Sequence, residues 1–265
     1  PRLSRELFMN QDAGFVKAPR SGRGLHRFTS LLVLITAPAM LEGLHWTLAL
    51  AAHFRPYLLV AWVLCALLHG LQRSTSGVLV GVVTSVFLML GLQIDAPPQR
   101  SGQADLTLMQ VNVQMNAPDT APLIQHIKEQ DPDVVSLVEI DQRWVDELTG
   151  ALDYPYVEVH PRPDFLGLAL LSRHPIQSYQ VSDLTPGIPA STAVLNVSDR
   201  PITLTTLHVL PPLTGAWSRS QHRGLEALAA QRSMHGERWV VCGDFNATPW
   251  SRVFRSIAAR AGLAP

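Results

Sequence analysis

Charged residues are scarce in this sequence. Only 16% of its 265 residues are charged, against about 25% in an ordinary soluble domain, and the mean hydropathy is +0.13. The deficit falls on residues 28–99, which hold only Glu42, Arg55, Arg73 and Asp95 as charged side chains. A chain that is exposed to water throughout is therefore excluded, and we expect this apolar block to lie in a membrane.

The spacings that mark several enzyme classes are also missing. Only two cysteines occur, Cys65 in the apolar block and Cys242 in a predicted buried strand, so a disulfide framework is excluded. No His-x-x-x-His or Cys-x-x-Cys spacing is present, which argues against a zinc site. The absence of Gly-x-Ser-x-Gly argues against a Ser-His-Asp hydrolase.

Basic residues are too few in the C-terminal part for a protein built around nucleic acid. Residues 101–265 contain 12 basic and 17 acidic residues, a net charge of −5. Proteins that bind nucleic acid neutralise phosphates with Lys and Arg. The balance therefore argues against a surface built to hold nucleic acid by neutralising its phosphates.

Three apolar runs follow a basic N-terminus at residues 1–27. They cover 31–52, 57–71 and 77–94, and a span needs about 20 apolar residues. The first and third runs can cross, whereas the second is a tilted span or half of a re-entrant hairpin, so residues 28–95 are predicted to hold two or three transmembrane helices. The basic N-terminus is expected in the cytoplasm. With three crossings, the following domain lies on the extracytoplasmic side of an inner membrane. With two crossings, it lies on the cytoplasmic side.

Glu42 and His45 stand three residues apart in the first apolar run. On a helix this spacing puts both on one face, so they could mark a functional site inside the membrane. The alternative is a pair in the bundle interior or at headgroup level, and we favour it.

A short linker at 96–104, with Pro97 and Pro98, separates this block from a domain at 105–265. A β-α-β pattern followed by closely spaced strands predicts a mixed-sheet α/β sandwich. Predicted helices cover 121–130, 142–152, 219–234 and 251–261, and predicted strands cover 106–113, 133–140, 156–160, 166–172, 176–181, 191–197, 202–209 and 238–242.

The most distinctive motif is Gly-Asp-Phe-Asn-Ala-Thr-Pro at 243–249, which directly follows an apolar strand. Residues two apart in an extended segment point the same way, so Asp244 and Asn246 are expected to project together. A carboxylate can take a proton from water or steer a metal, and an amide can donate to a phosphate oxygen. An Asx-turn that ends a strand is an equally good interpretation of this motif alone.

Three further polar residues close apolar strands: Asn112, Glu139 and His208. Glu139 with Asn112 is a plausible oxygen-ligand pair for Mg²⁺, which takes one or two carboxylates and keeps several waters. His208 could donate to a phosphate or protonate a leaving oxygen. Each alone is better read as a surface residue at a strand end, but their joint occurrence favours one shared site.

This ordered set resembles the endonuclease/exonuclease/phosphatase superfamily of metal-dependent phosphodiesterases over roughly residues 105–262. Five segments are each similar to a family motif: 110–112, the strand leading from 131 to Glu139, the stretch Gly-Leu-Ala-Leu-Leu-Ser-Arg-His-Pro-Ile at 167–176, the strand end at 206–208 and the motif at 243–249. The resemblance implies a four-layer α/β sandwich of mixed sheets. Here an all-α transmembrane segment precedes it, as in a membrane-anchored bacterial branch.

By this resemblance, Glu139 holds Mg²⁺, or alternatively Mn²⁺, with help from Asn112. Asp244 orients or deprotonates the attacking water, Asn246 positions the phosphate, and His208 stabilises the developing charge. The expected partners are a lipid bilayer and a phosphate-ester substrate, either a phospholipid, a small phosphodiester or nucleic acid, and no protein partner is implied.

Two features depart from the family pattern. Val138 stands where a Gln is usual, which removes one polar neighbour of the metal site. The strand with Asp-His that closes the family's domain does not occur before Pro265, so we expect a C-terminally truncated chain with weak or no hydrolytic activity. The expected function is hydrolysis of a phosphate ester by an activated water. The alternative is a non-catalytic membrane-anchored module that binds a phosphorylated ligand.

Overall fold

The computed structural model describes residues 21–92 and 105–264. Four helices come first: α1 (Ser21–Met40), α2 (Trp46–Ala52), α3 (Arg55–Leu71) and α4 (Thr75–Gly91). We call these four helices the helical prefix. The predicted linker at 96–104 and most of the predicted basic N-terminus lie outside the described residues.

The first apolar run is not one helix, which corrects the sequence-based prediction. It begins within α1, passes through a turn at 41–45 and ends in α2. Pro38 removes a backbone donor in the last turn of α1, and His45 caps α2 by accepting a hydrogen bond from Thr47 N at 3.4 Å. Glu42 and His45 therefore share no helical face. Glu42 instead pairs with Arg55 at 3.0 Å, a tertiary contact that helical periodicity does not encode.

No helix among residues 21–92 and 105–264 is by itself both long and apolar enough to cross a bilayer. By length and composition only, α2 and α3 pass that test when taken together, across a bend of 59°. The prefix has its own small core, in which Trp62 and Leu88 are buried. Its outer surface carries many large apolar side chains, among them Leu34, Leu71 and Phe87.

Two four-stranded sheets form the domain. The first has the order β1-β2-β4-β3 and the second the order β5-β6-β7-β8. The pairs β1/β2 and β7/β8 are parallel and the other pairs antiparallel, so both sheets are mixed and the predicted mixed-sheet α/β class is confirmed. The strands are β1 (Leu108–Asn112), β2 (Val134–Val138), β3 (Tyr156–His160), β4 (Leu168–Ser172), β5 (Ile176–Thr185), β6 (Ile188–Val197), β7 (Arg200–His208) and β8 (Trp239–Asp244).

Helices cover the outer faces of both sheets, which makes four layers. Helices α5 (Ala121–Gln130) and α6 (Gln142–Ala151) pack on the first sheet, and α7 (Gly215–Ala230) and α8 (Arg252–Ala261) pack on the second. Between the sheets lies an apolar layer with Val134, Leu170 and Leu195. Strands β2 and β4 are fully buried because both of their faces are covered.

Local signals set most helix ends. The hydroxyl of Thr214 accepts a hydrogen bond from Trp217 N, so α7 begins at Gly215 rather than at the predicted residue 219. A 3₁₀ turn over Gln231–Met234 follows it, where a continuous helix was predicted. Helix α8 begins after Ser251 and ends at Gly262 with φ +62°, as the predicted glycine cap requires.

A small polar cluster crosses the interface between the sheets. The Ser136 hydroxyl on β2 lies 2.8 Å from the Thr206 hydroxyl on β7, and the Cys242 thiol on β8 lies 3.3 Å from Ser136. Burial raises the pKa of the Cys242 thiol, so the cysteine acts here as a neutral packing group. These contacts tie the two sheets together below the edge where both parallel pairs end.

Candidate functional site

The two sheets each bring polar residues to one edge of the domain. Asn112 is the last residue of β1, and Glu139 follows the last residue of β2. His208 and Asp244 end β7 and β8 and are direct partners in the parallel register. Because neighbouring parallel strands end on the same side of a sheet, each sheet presents its pair together.

The side-chain amide of Asn112 joins the two pairs. Its Nδ2 donates to Glu139 Oε1 at 2.8 Å and to Asp244 Oδ2 at 3.0 Å. Its Oδ1 accepts from Gln114 N at 3.0 Å, which fixes the orientation of the amide. Two carboxylates from different sheets therefore lie on one amide nitrogen.

These carboxylates have little positive charge to compensate them. His208 Nε2 lies 3.9 Å from Glu139 Oε1 and 3.8 Å from Asp244 Oδ2. Within the described part of the chain, no Lys or Arg nitrogen lies within 4.0 Å of either carboxylate. Met115 N donates to Glu139 Oε2 at 3.3 Å, but a backbone amide carries no net charge. Two neighbouring carboxylates repel each other, and a cation between them removes the repulsion.

His208 is held in one orientation by a backbone carbonyl. Its Nδ1 lies 2.7 Å from Phe165 O, and since a carbonyl only accepts, Nδ1 carries the proton. The other nitrogen, Nε2, is left to accept from Asn246 Nδ2 at 3.2 Å. The imidazole is 3% exposed, and the Phe165 ring packs against it edge-on at 5.9 Å between centroids. The lone pair of Nε2 therefore faces the site.

Asn246 lies in a turn that combines both interpretations of its motif. Its backbone N donates to Asp244 Oδ1 at 2.8 Å, which is an Asx-turn. Its Nδ2 donates to Val209 O at 2.7 Å as well as facing His208. The residue has a left-handed φ of +46°, a conformation that Asn tolerates. The turn thus brings the carboxamide beside the histidine.

Two glycines near the site, Gly167 and Gly243, allow the backbone of another segment to lie very close to them. Gly243 has φ +133°, and a Cβ there would collide with the Leu207 carbonyl on β7. A Cβ on Gly167 would collide with the carbonyl of Ile140, the residue after Glu139. Glu139 itself has a left-handed φ of +66°, and such strained positions cluster at functional sites.

Several residues that shape the site carry no signal in the sequence. Gln221 on α7 is 2% exposed, and its Nε2 donates to Phe245 O at 3.0 Å and to Asn246 O at 2.8 Å. Phe165 acts through its carbonyl, which any residue would supply. A pattern of side chains cannot indicate either contact, because each depends on where the backbone of another element lies.

The loop that carries Phe165 is braced by an ion pair. Arg162 donates to both carboxylate oxygens of Asp164, at 2.9 and 2.7 Å. These hydrogen bonds lower the pKa of Asp164 against the opposing effect of burial. Arg162 N also donates to Ile140 O at 3.1 Å. The loop is therefore attached next to Glu139, which places the Phe165 carbonyl against His208.

The donor set fits a hard divalent cation. Within residues 21–92 and 105–264, no group of three His, Cys, Asp or Glu side chains is arranged to hold a metal. Mg²⁺ does not need one, since it takes one or two carboxylates and keeps several waters. Of the two carboxylates here, Glu139 would be the ligand, and Asp244 lies beside it on the same amide nitrogen. Asn112 turns its nitrogen rather than its oxygen toward them, so its role as a ligand stays a prediction.

A cavity of about 460 Å³ lies between the helical prefix and the domain. Its prefix wall includes Trp46 and His53, and its domain wall includes residues of α7 and α8 such as His222. At one end it reaches Asn246. The site thus adjoins a space large enough for part of a small molecule.

Several solved structures are similar to part of the chain at low sequence identity. No curated protein matches it. Among solved structures, a humanized D. rerio TDP2 shares 18% identity over 61% of this chain and 68% of that one, with a TM-score of 0.49. The human Nocturnin catalytic domain shares 22% identity over 59% and 70%, with a TM-score of 0.49. Sphingomyelinase C from Streptomyces griseocarneus shares 19% over 60% and 70%, with a TM-score of 0.48.

The family assignment rests on the sequence itself. Residues 109–265, more than half of the chain, match the family described as "Endonuclease/Exonuclease/phosphatase family". The matched range contains all five side chains that the structure gathers at the edge of the two sheets. The chain therefore belongs to the endonuclease/exonuclease/phosphatase family.

Proposed function

We propose that this protein is a membrane-anchored hydrolase of phosphate esters that depends on Mg²⁺, or alternatively Mn²⁺. The observation that carries the proposal is the placement of the Glu139 and Asp244 carboxylates on one amide, beside His208. Family members are phosphodiesterases, nucleases and phosphatases, and this arrangement suits the same class of reaction.

In the proposed in-line attack by water, each of the site residues has a separate role. Asp244 orients the water and accepts its proton. An arriving phosphate oxygen can accept the hydrogen bond that Asn246 Nδ2 now donates to His208 Nε2. The freed Nε2 can then take up a proton from solvent as the anionic phosphate binds, and donate it in a hydrogen bond that stabilises charge on the phosphoryl oxygens. Glu139, with help from Asn112, would hold the cation, which would supply polarisation of the phosphoryl group and of water.

A bilayer is the proposed surrounding of the helical prefix. Its outward apolar side chains and its few charges support this, because exposed apolar patches of such extent mark contact with lipid or protein. We propose an inner membrane with the domain on the extracytoplasmic side, from the basic residues of 1–27, which precede the first apolar run, and three crossings. A phospholipid headgroup or another small phosphodiester is then within reach, and the net charge of −5 in residues 101–265 disfavours nucleic acid.

Glu139→Gln tests the enzyme proposal, with Glu129→Gln on the exposed face of α5 as the matched control. Loss of an indirect partner of a metal commonly costs 10- to 100-fold in affinity or activity. A direct ligand should cost at least as much, so we expect Glu139→Gln to weaken Mg²⁺ binding and hydrolysis of an aryl phosphodiester by about 100-fold or more. Calorimetry and a colorimetric assay of the detergent-solubilised protein measure both.

The outcomes separate the proposal from its alternative. Equal Mg²⁺ affinity of the two variants would contradict the assignment of Glu139. Tight binding of Mg²⁺ and of a phosphate ester without turnover, in the full-length natural protein, would support a non-catalytic binding module instead.

A further inference from the structure

The junction between the helical prefix and the domain contains a buried arginine that donates four hydrogen bonds to three residues. Arg55, at the start of α3, is 7% exposed. Its Nε and Nη2 donate to Ala39 O at 3.3 and 2.8 Å, and Nη2 also donates to Glu42 Oε1 at 3.0 Å. Its Nη1 leaves the prefix and donates to Trp250 O at 3.1 Å.

Trp250 returns a contact to the prefix. Its indole Nε1 donates to Ala52 O, the last residue of α2, at 2.9 Å. Main chain and side chain of one domain residue are thus both fixed to the helices. Trp250 lies near the end of the segment that runs from Asp244 through Asn246 to the start of α8. We call this segment the catalytic loop (residues 244–251).

The catalytic loop is therefore held from two sides. Gln221 of α7 binds its first half, through the carbonyls of Phe245 and Asn246. Arg55 and the Ala52 carbonyl bind its last part, through Trp250. A buried guanidinium in an apolar helix is costly unless its donors are used, and the third partner of Arg55, Trp250, lies in this loop rather than in the prefix.

We propose that Arg55 and Trp250 are positioning residues for the active site, so that the helical prefix sets the geometry of Asp244 and Asn246 in addition to anchoring the protein. This inference rests on the proposed function for its catalytic consequence. The contact itself is independent of it. A change in the prefix, such as a different seating in lipid, would then reach the site through two hydrogen bonds.

Trp250→Phe tests the inference, because it removes the indole donor and keeps an aromatic ring. Trp62→Phe is the matched control: Trp62 Nε1 donates to Thr36 Oγ1 at 2.9 Å, wholly inside the prefix. Both variants lose one indole hydrogen bond and should lower Tm alike. Only Trp250→Phe should speed hydrogen exchange of residues 244–251 and weaken Mg²⁺ binding, each about fivefold, as loss of one such bond predicts.

Arg55→Lys is a second variant, for the case that Trp250→Phe does not fold. It keeps a positive charge beside Glu42 but cannot make all four hydrogen bonds, and it should loosen the same loop. Loop exchange and Mg²⁺ affinity in Trp250→Phe and Arg55→Lys that equal those of Trp62→Phe would overturn the inference. A wild type that binds no Mg²⁺ would contradict the proposed function alone, because loop exchange would still decide the role of the junction.

Discussion

Asp133 shows how one carboxylate can fix the start of two strands. It stands just before β2, and its Oδ2 accepts from Thr107 N at 2.8 Å and from Thr107 Oγ1 at 2.6 Å. Asp133 N donates back to Thr107 Oγ1 at 2.9 Å. The Thr107 hydroxyl and amide lower the pKa of the Asp133 carboxyl. The register of β1 on β2, and with it the position of Asn112 relative to Glu139, begins at this pair.

Asp133→Asn should therefore change stability in a pH-dependent way. A carboxyl whose pKa is lower in the folded than in the unfolded protein stabilises the fold above its unfolded pKa of about 4, and this contribution is lost as pH falls through the folded value. Asn keeps an acceptor oxygen but no charge, so we expect a loss of about 1 kcal/mol in the free energy of unfolding at pH 7. The difference should shrink steadily below about pH 4.

Urea unfolding of the detergent-solubilised protein between pH 7 and pH 3 measures this effect. Asp153→Asn, at an exposed position, is the control and should show little change at any pH. A deficit of Asp133→Asn that is as large at pH 3 as at pH 7 would rule out the charge as its cause.

At the scale of elements, α7 acts as a support for the catalytic loop. Gln221→Leu should leave the buried carbonyls of Phe245 and Asn246 without their donor, at a cost of about 1–3 kcal/mol in the free energy of unfolding. Gln125→Leu on the exposed face of α5 makes the same substitution and should stay within about 0.5 kcal/mol of wild type. Chemical denaturation compares the two, and equal losses would mean that Gln221 does not support the loop.

The sequence predicts elements well where local signals govern them. Helix α5 has the predicted bounds, Ala121–Gln130, and the apolar runs of β2 and β4 are found as buried strands. The turn at 41–45 was missed because it involves a contact between Glu42, which lies in the turn, and Arg55, which lies beyond the helix that follows it. The order of strands in each sheet could likewise not be predicted from local sequence patterns, because pairing joins segments that are distant in sequence.

The five candidate residues could be found because four of them stand at strand ends and the fifth, Asn246, belongs to the motif that follows β8. What the sequence did not predict is how they are held: the Asn112 amide between two carboxylates, the Phe165 carbonyl on His208, and Gln221 beneath the loop. Each of these contacts joins elements that are distant in sequence, and a side chain that meets a backbone carbonyl leaves no characteristic spacing.

At the scale of the whole molecule, the apolar surface of the prefix should bind lipid. We expect the protein to float with vesicles of phosphatidylethanolamine and phosphatidylglycerol, and to stay bound in 1 M NaCl, because salt screens charges but does not weaken apolar burial. Phe87→Glu on the outer face of α4 should weaken flotation, at a cost of about 2–3 kcal/mol. Met234→Glu, at an equally exposed position of the domain, should not. Wild-type protein that stays at the bottom of the gradient would contradict membrane attachment.

The Asn112 amide reaches from a strand of one sheet to carboxylates on both, so the site exists only while the two sheets are in register with each other. A slip of one ångström between them would separate Glu139 from Asp244, and displacements of that size can cost about 100-fold in rate. Substitutions at the Ser136–Thr206–Cys242 contact, two or three residues along the strands from Glu139, His208 and Asp244, should then lower any hydrolytic activity before they unfold the domain. The level of any activity would then report how firmly the two sheets are held in their relative position.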